Sequence, residues 1–145
     1  MRRPAILIDL DGTLANISHR REKFLKNNDW GDFNSKINAD SLNYWCREII
    51  DKFKSSYKII IVTGRKRHLE KETLGWLKNN GVFYDDIYFR ETKDYRKDYI
   101  IKKEIYERDI LKKYNVLFVV DDRESVVKMW RGRGLVCLQC DFGDF

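Results

Sequence analysis

Three features of the sequence predict an α/β fold: a three-layer, Rossmann-like sandwich around a central parallel sheet. Short apolar runs with the length and β-branching of buried strands recur at 5–8, 57–62 and 116–120. Segments of helical periodicity separate them, which calls for right-handed crossovers and helices on both sheet faces. Each run ends in side chains with chemistry: Asp9 and Asp11, then Thr63, then Asp121 and Asp122. In an open α/β sheet the carboxyl ends of parallel strands share the edge where ligands bind.

The elements follow in order. Ala5 to Ile8 reads as the first strand, closed by Asp9-Leu10-Asp11-Gly12-Thr13. Residues i and i+2 of an extended chain share a side, so Asp9 and Asp11 face one small volume. Gly12 permits a sharp exit that a side chain would obstruct. Two anions at one point repel unless a cation joins them, and hard oxygen ligands suit Mg²⁺. A calcium loop is excluded, because the position of its closing Glu holds Arg20.

The stretch from Leu14 to Asn28 is mixed and basic. Asn27 to Ala39 is rich in Asn, Asp, Gly and Ser, with Trp30 and Phe33 embedded, and reads as loop. The whole insert is short for a capping domain, so little or no cap is expected. A helix is expected to start near Asp40-Ser41, both good N-caps, with Leu42, Trp45, Cys46, Ile49, Ile50 and Phe53 at helical spacing. Tyr57 to Val62 is the second strand, ending in Thr63-Gly64-Arg65. A helix follows from about Lys66 to Asn79, closed by Asn80-Gly81. Asp86 to Arg90 is a short strand, and Asp98 to Tyr114 an amphipathic helix. Val116 to Val120 is a strand ending in Asp121-Asp122-Arg123. Ser125 to Arg133 is a short helix and Leu135 to Gln139 a last strand.

With 145 residues and one proline, the chain is expected to form a single domain over 1–145. At 43% apolar it is neither a disordered nor a membrane composition, and no apolar run reaches membrane-span length. Met1-Arg2-Arg3-Pro4 runs straight into the first strand, leaving no room for a signal peptide. The expected location is therefore cytoplasmic. A net charge of +6 favours an anionic partner such as nucleic acid. Cys46, Cys137 and Cys140 are too few for a disulfide framework. Cys137 and Cys140 have the spacing of a zinc pair, but residues three apart in a strand face opposite sides, so both read as core thiols.

Asp9-Leu10-Asp11-Gly12-Thr13 after an apolar strand resembles the first motif of the haloacid dehalogenase-like phosphohydrolases. Thr63-Gly64-Arg65, Arg96-Lys97-Asp98 with Lys102, and Asp121-Asp122-Arg123 follow in order. With Val126 to Arg131, Gly134, Cys137, Gln139 and Gly143-Asp144-Phe145, they are similar to the 3′-phosphatase domain of phage-type polynucleotide kinase/phosphatase. The resemblance runs from Ile6 to Phe145. It implies an Mg²⁺-dependent phosphatase in which Asp9 attacks phosphorus and Asp11 is the general acid/base. It makes Lys102 the charge-balancing lysine; spacing from Asp98 alone would not prefer it to Lys97 or Lys103. Asp9, Asp11, Asp121 and Asp122 are the implied metal residues, with the direct ligand among Asp121 and Asp122 left open. Thr13, Thr63 and Gly64 are implied at the phosphate. Arg20, Arg65 and Asp98 are implied in substrate binding and site organisation, with Arg21 a rival to Arg20.

The implied substrates are DNA or RNA 3′-phosphate ends, with free nucleoside monophosphates, or a non-catalytic nucleic-acid-binding module, as alternatives. Trp30 or Phe33 could stack a terminal base, although packing is the more ordinary role for both. Relatives of this type carry a kinase before the phosphatase. No Gly-x-x-x-x-Gly-Lys-Ser/Thr loop occurs here, so kinase activity is not expected: either the phosphatase stands alone, or the kinase belongs to a removed segment or a separate chain, a separate polynucleotide kinase or ligase then being a partner.

Overall fold

The structure, a computed structural model, describes residues 1–31 and 36–143. Strand β1 (Arg3–Ile8) pairs in parallel with β4 (Lys58–Lys66) on one side and β6 (Tyr114–Arg123) on the other. With β5 (Asp86–Arg90) and β7 (Cys137–Gly143) the sheet has the order β5-β4-β1-β6-β7, parallel throughout. Ala5, Ile6, Leu7 and Ile8 are all fully buried, because both sheet faces are covered. Ile6 and Ile8 pack with Cys46 and Ile50 of α2 (Tyr44–Phe53) and with Trp76 and Leu77 of α3 (Glu70–Asn79). Ala5 and Leu7 face the opposite layer, where Ile101 and Ile105 of α4 (Asp98–Ile105) meet Val126, Val127 and Trp130 of α5 (Glu124–Gly132). The period of two along β1 thus feeds two cores with a single run of residues. This is the α/β sandwich expected.

The insert after β1 is richer than expected. Ser18–Asn27 forms a helix, α1, which buries Arg20 and Phe24. Ser41–Leu42 is not a helix start: it pairs antiparallel with Ala15–Asn16 as a two-stranded ribbon, β2 with β3. The helix begins at Tyr44 because the Asp40 carboxylate is occupied by arginines, and Asn43 is tied to the first-motif turn, donating from Nδ2 to the Thr13 carbonyl at 2.8 Å. Among the described residues the insert contains, besides these elements, a short 3₁₀ turn at Ile37–Ala39.

Other boundaries moved too. β4 runs on to Lys66, and α3 starts only at Glu70, after a 3₁₀ turn at Arg67–Leu69. The predicted helix from Asp98 ends as α-helix at Ile105, passes through a π turn at Tyr106–Ile110, and yields to β6 at Tyr114. β7 extends to Gly143, four residues beyond the predicted end. Cys137 and Cys140 lie on opposite faces of β7, in different cores, as strand alternation requires. Phe33, Asp144 and Phe145 lie outside the described residues. No helix among the described residues is long and apolar enough to cross a membrane.

Candidate active site

The carboxyl ends of β1, β4, β5 and β6 surround a cleft of about 430 Å³. Asp9, Asp11, Gly64, Arg65, Asp98, Asp121 and Asp122 line it, with Trp30, Lys66, Tyr95, Lys97 and Arg123 among the other lining residues.

Asp9 forms the floor, 6% exposed. Its Oδ1 accepts from Lys102 Nζ at 2.7 Å and its Oδ2 from the Thr13 hydroxyl at 2.9 Å. Lys102 stands on α4 one turn after Asp98, 3.6 Å from that carboxylate, and also donates to Asp121 Oδ2 at 3.1 Å. Asp121 Oδ1 accepts the backbone N–H of Asp122 at 2.9 Å, and its Oδ2 accepts Trp130 Nε1 at 3.3 Å. Trp130, part of the C-terminal signature, therefore ties α5 to the acid pair.

Two glycines are demanded by these carboxylates. Gly12 has φ of +82°, and a Cβ there would sit 2.1 Å from Asp122 Oδ2. A Cβ on Gly64 would sit 2.1 Å from Asp98 Oδ1.

Asp9, Asp121 and Asp122 each offer a carboxylate oxygen within 4.8 Å of the others, all three buried. Asp122 Oδ2 is buried without a hydrogen-bond partner, although such an atom is costly to leave unmatched. Three carboxylates against one Lys102 ammonium leave a formal charge of −2. Burial and the Asp121 charge push Asp9 well up from the usual carboxylate range, against the pull of Lys102. The same two causes push Asp122 up to about 6. Lys102 is driven the other way: burial would lower it, but Asp121, Asp9 and Asp98 together raise it well above the ordinary lysine value. Hard oxygen donors, an orphaned carboxylate oxygen and two surplus negative charges fit a divalent cation.

Asp11 belongs to a different cluster. Its carboxylate accepts from Arg65 Nη2 at 2.6 Å, from Arg65 Nε at 3.0 and 3.1 Å, and from Arg20 Nη2 at 2.5 Å. Burial would raise it, but the two guanidiniums win and hold it well below the usual carboxylate range. Behind them stands Asp40, its side chain fully buried. It accepts from Arg20 Nε and Nη2 at 2.8 Å each and from Arg65 Nη2 at 3.2 Å, and lies 2.7 Å from His19 Nε2. Two acids and two arginines balance, so this half of the site is formally neutral. Asp11 lies outside the carboxylate triad, although the sequence reading included it among the metal residues.

The other expected residues fall as follows. Thr63 does not line the cleft; its hydroxyl accepts the Arg65 backbone N–H at 3.1 Å. Arg20 is 1% exposed and sits behind Asp11 rather than on the cleft wall. Arg21 points away, donating to the Phe142 carbonyl at 2.8 Å. Lys102, not Lys97 or Lys103, reaches Asp9. Trp30 lines the cleft but packs on Phe24, with ring centroids 4.1 Å apart.

Two residues were missed. The sequence around Asp40 has the pattern of a helix cap, and nothing local distinguishes a cap from a buried arginine partner. Arg90 ends β5 at the same sheet edge, and its position was a usable signal. It donates to the carbonyls of Gly64 (2.9 Å), Asp94 (3.2 Å) and Arg96.

Residues 3–145 match the family described as the polynucleotide kinase PNKP phosphatase domain. The chain belongs to this family. It is 36% identical to a chain of the Pnkp1/Rnl/Hen1 complex, with a TM-score of 0.87, covering 99% of this chain and 48% of that one. It is 30% identical over 133 residues to a protein of Autographa californica nuclear polyhedrosis virus named as a bifunctional polynucleotide kinase/RNA ligase, covering 88% of this chain and 18% of that protein. The chain thus spans under half the length of these relatives. Haloacid dehalogenase-like family protein SP0104 from Streptococcus pneumoniae shares the fold at a TM-score of 0.65 and 17% identity, over 94% of this chain and 84% of that one. The fold is haloacid dehalogenase-like, and the family is one of phosphatase domains.

Proposed function

We propose that the chain is a polynucleotide 3′-phosphatase that works through an aspartyl-phosphate on Asp9. The observation that carries this reading is the pairing of Asp9 with Lys102 at 2.7 Å, beside Asp11 and at the floor of an open cleft. Membership of the PNKP phosphatase family supports the choice of substrate.

Lys102 and Thr13 fix the Asp9 carboxylate, leaving it one orientation toward an incoming phosphate. An Asp9 oxygen attacks phosphorus, the P–O bond to the sugar breaks, and the leaving oxygen takes a proton from Asp11, an anion in the free chain that takes up this proton from solvent once a bound phosphate shares the charge of its arginines. Asp11 then takes a proton from water as that water attacks the aspartyl-phosphate, which releases orthophosphate and restores both carboxyl groups. Lys102 offsets the charge that two anions bring together. Asp9, Asp121 and Asp122 would hold Mg²⁺, which supplies charge neutralisation for the phosphoryl oxygens. Arg65 reaches Asp11 and the cleft at once, so it links the acid/base to the bound phosphate. No bulky cap among the described residues closes the cleft, which favours a polymer end over a small enclosed metabolite. Ends cleared of 3′-phosphate are substrates for joining, so we place the chain beside a kinase or ligase activity. Relatives named as Pnkp1/Rnl/Hen1 and as a kinase/RNA ligase support that context.

The test is phosphate release from 3′-phosphorylated oligonucleotides, 5′-phosphorylated oligonucleotides and free nucleoside monophosphates, each with Mg²⁺ and with chelator. Preference for the 3′-phosphorylated end, abolished by chelator, is expected. Preference for mononucleotides would make the chain a nucleotidase.

A further inference from the structure

We infer that Tyr95, backed by Lys66, is the platform on which the base of the terminal nucleotide stacks while its 3′-phosphate is held at Asp9; this rests on the 3′-phosphatase reading.

Tyr95 is 79% exposed yet lines the same cleft as Asp9. A ring that is exposed and lines the cleft has an apolar face available to a ligand bound there. The loop that carries it is built, not slack. Arg90 accepts nothing and donates to the carbonyls of both neighbours of Tyr95, Asp94 and Arg96. Arg96 is itself clamped by Asp94 at 2.8 and 3.0 Å and by Glu104 at 2.6 and 2.7 Å. Its charge is therefore spent on holding the loop, and the backbone on both sides of Tyr95 is tied down.

Lys66, the last residue of β4, sets its ammonium 3.8 Å from the Tyr95 ring centroid. Among the described residues it makes no ion pair. One face of the ring is thereby occupied by a cation. A base is the ligand that suits such a ring: every nucleobase has a π face, and stacking on an aromatic side chain tolerates all four. Lys66 and Tyr95 line the same cleft as Asp9, so a nucleotide whose phosphate is held at Asp9 shares that cleft with the ring. Trp30, also at the cleft, is already packed on Phe24, so the open ring is Tyr95.

The experiment compares kcat/KM for two oligonucleotides with a 3′-phosphate: one with a normal terminal nucleotide, one with a terminal abasic nucleotide. The wild-type chain should prefer the normal end by about 10-fold, the scale of one base–aromatic stack. Tyr95→Ala should bring that ratio to near 1, and Tyr95→Phe should keep it. A wild-type ratio near 1, or a Tyr95→Ala chain that keeps the wild-type ratio, overturns the platform while leaving 3′-phosphatase activity in place. Release from mononucleotides but from no oligonucleotide overturns the underlying reading, and the platform with it.

Discussion

Arg65 grips Asp11 through three hydrogen bonds, two from Nε and one from Nη2, between 2.6 and 3.1 Å. The same Nη2 also reaches Asp40 at 3.2 Å, and Nη1 donates to the Thr73 hydroxyl at 3.1 Å. Asp11 is therefore held as an anion in the free chain. A group that must give a proton to a leaving oxygen needs its arginines to share their charge with an arriving phosphate. Arg65→Ala should lower kcat on 3′-phosphorylated ends by about 100- to 1000-fold, the scale of losing one preorganised charge donor. Steady-state kinetics checks this; a loss below about 5-fold would remove Arg65 from the site's working parts.

Arg20 was expected to contact substrate, and the structure puts it behind Asp11 instead, 1% exposed. Arg20→Ala should therefore slow a 3′-phosphorylated oligonucleotide and a small aryl phosphate by similar factors. A selective loss on the oligonucleotide would return Arg20 to direct substrate contact.

Asp40 holds both arginines from a position outside the cleft. Asp40→Asn keeps the shape and removes the charge that orients them. It should cost about 100-fold in kcat/KM through misplacement of Arg20 and Arg65. The loss should fall on kcat more than on KM, and the acid limb of the pH–rate profile should move. Loss of thermal stability with unchanged kinetics would make Asp40 a purely structural anchor.

Lys102 is 1% exposed among three carboxylates. Lys102→Ala leaves buried acids without their cation and should destabilise the metal-free chain by about 3–5 kcal/mol. Chemical denaturation with chelator present measures this, and a stability change under 1 kcal/mol would contradict the charge balance described above.

The pH dependence of stability has a definite sign. Asp9 and Asp122 sit above their ordinary value of 3.8, Asp122 at about 6. Between those values the folded chain binds more protons than the unfolded one, so metal-free stability falls as pH rises from about 4 through 6. Asp11 is shifted the opposite way, and its contribution is lost only below the ordinary carboxylate range. Mg²⁺ should raise Tm most at pH 7 to 8, where the triad is ionised. A metal-free Tm that climbs steadily from about pH 4 to 7 would contradict this.

Much of this was legible because strands buried on both faces are short apolar runs, and three of them visibly end in Asp9, Thr63 and Asp121. Their parallel arrangement brings Asp9, Asp11, Asp121 and Asp122 to one cleft from positions up to 113 residues apart in sequence. Lys102 was not legible from spacing, since Lys97 and Lys103 look the same locally; the resemblance singled it out, and tertiary packing of α4 buries it at Asp9. Asp40 was illegible because its role is set by two arginines distant in sequence, while its own neighbourhood reads as a helix cap. α1 was hidden by its charge: its buried face includes Arg20, a residue no periodicity argument counts as core.

The proposed 3′-phosphatase chemistry stands on Asp9 carrying the phosphoryl group. The most direct measurement is acid quench during turnover of a 3′-phosphorylated oligonucleotide, borohydride reduction of any acyl-phosphate, and mass spectrometry of the peptide containing Asp9. Asp9 alone should be reduced to homoserine, and Asp9→Asn should show neither this product nor turnover above about one thousandth of wild type. Phosphate release from an unmodified Asp9 peptide, with Asp9→Asn still active, would contradict it.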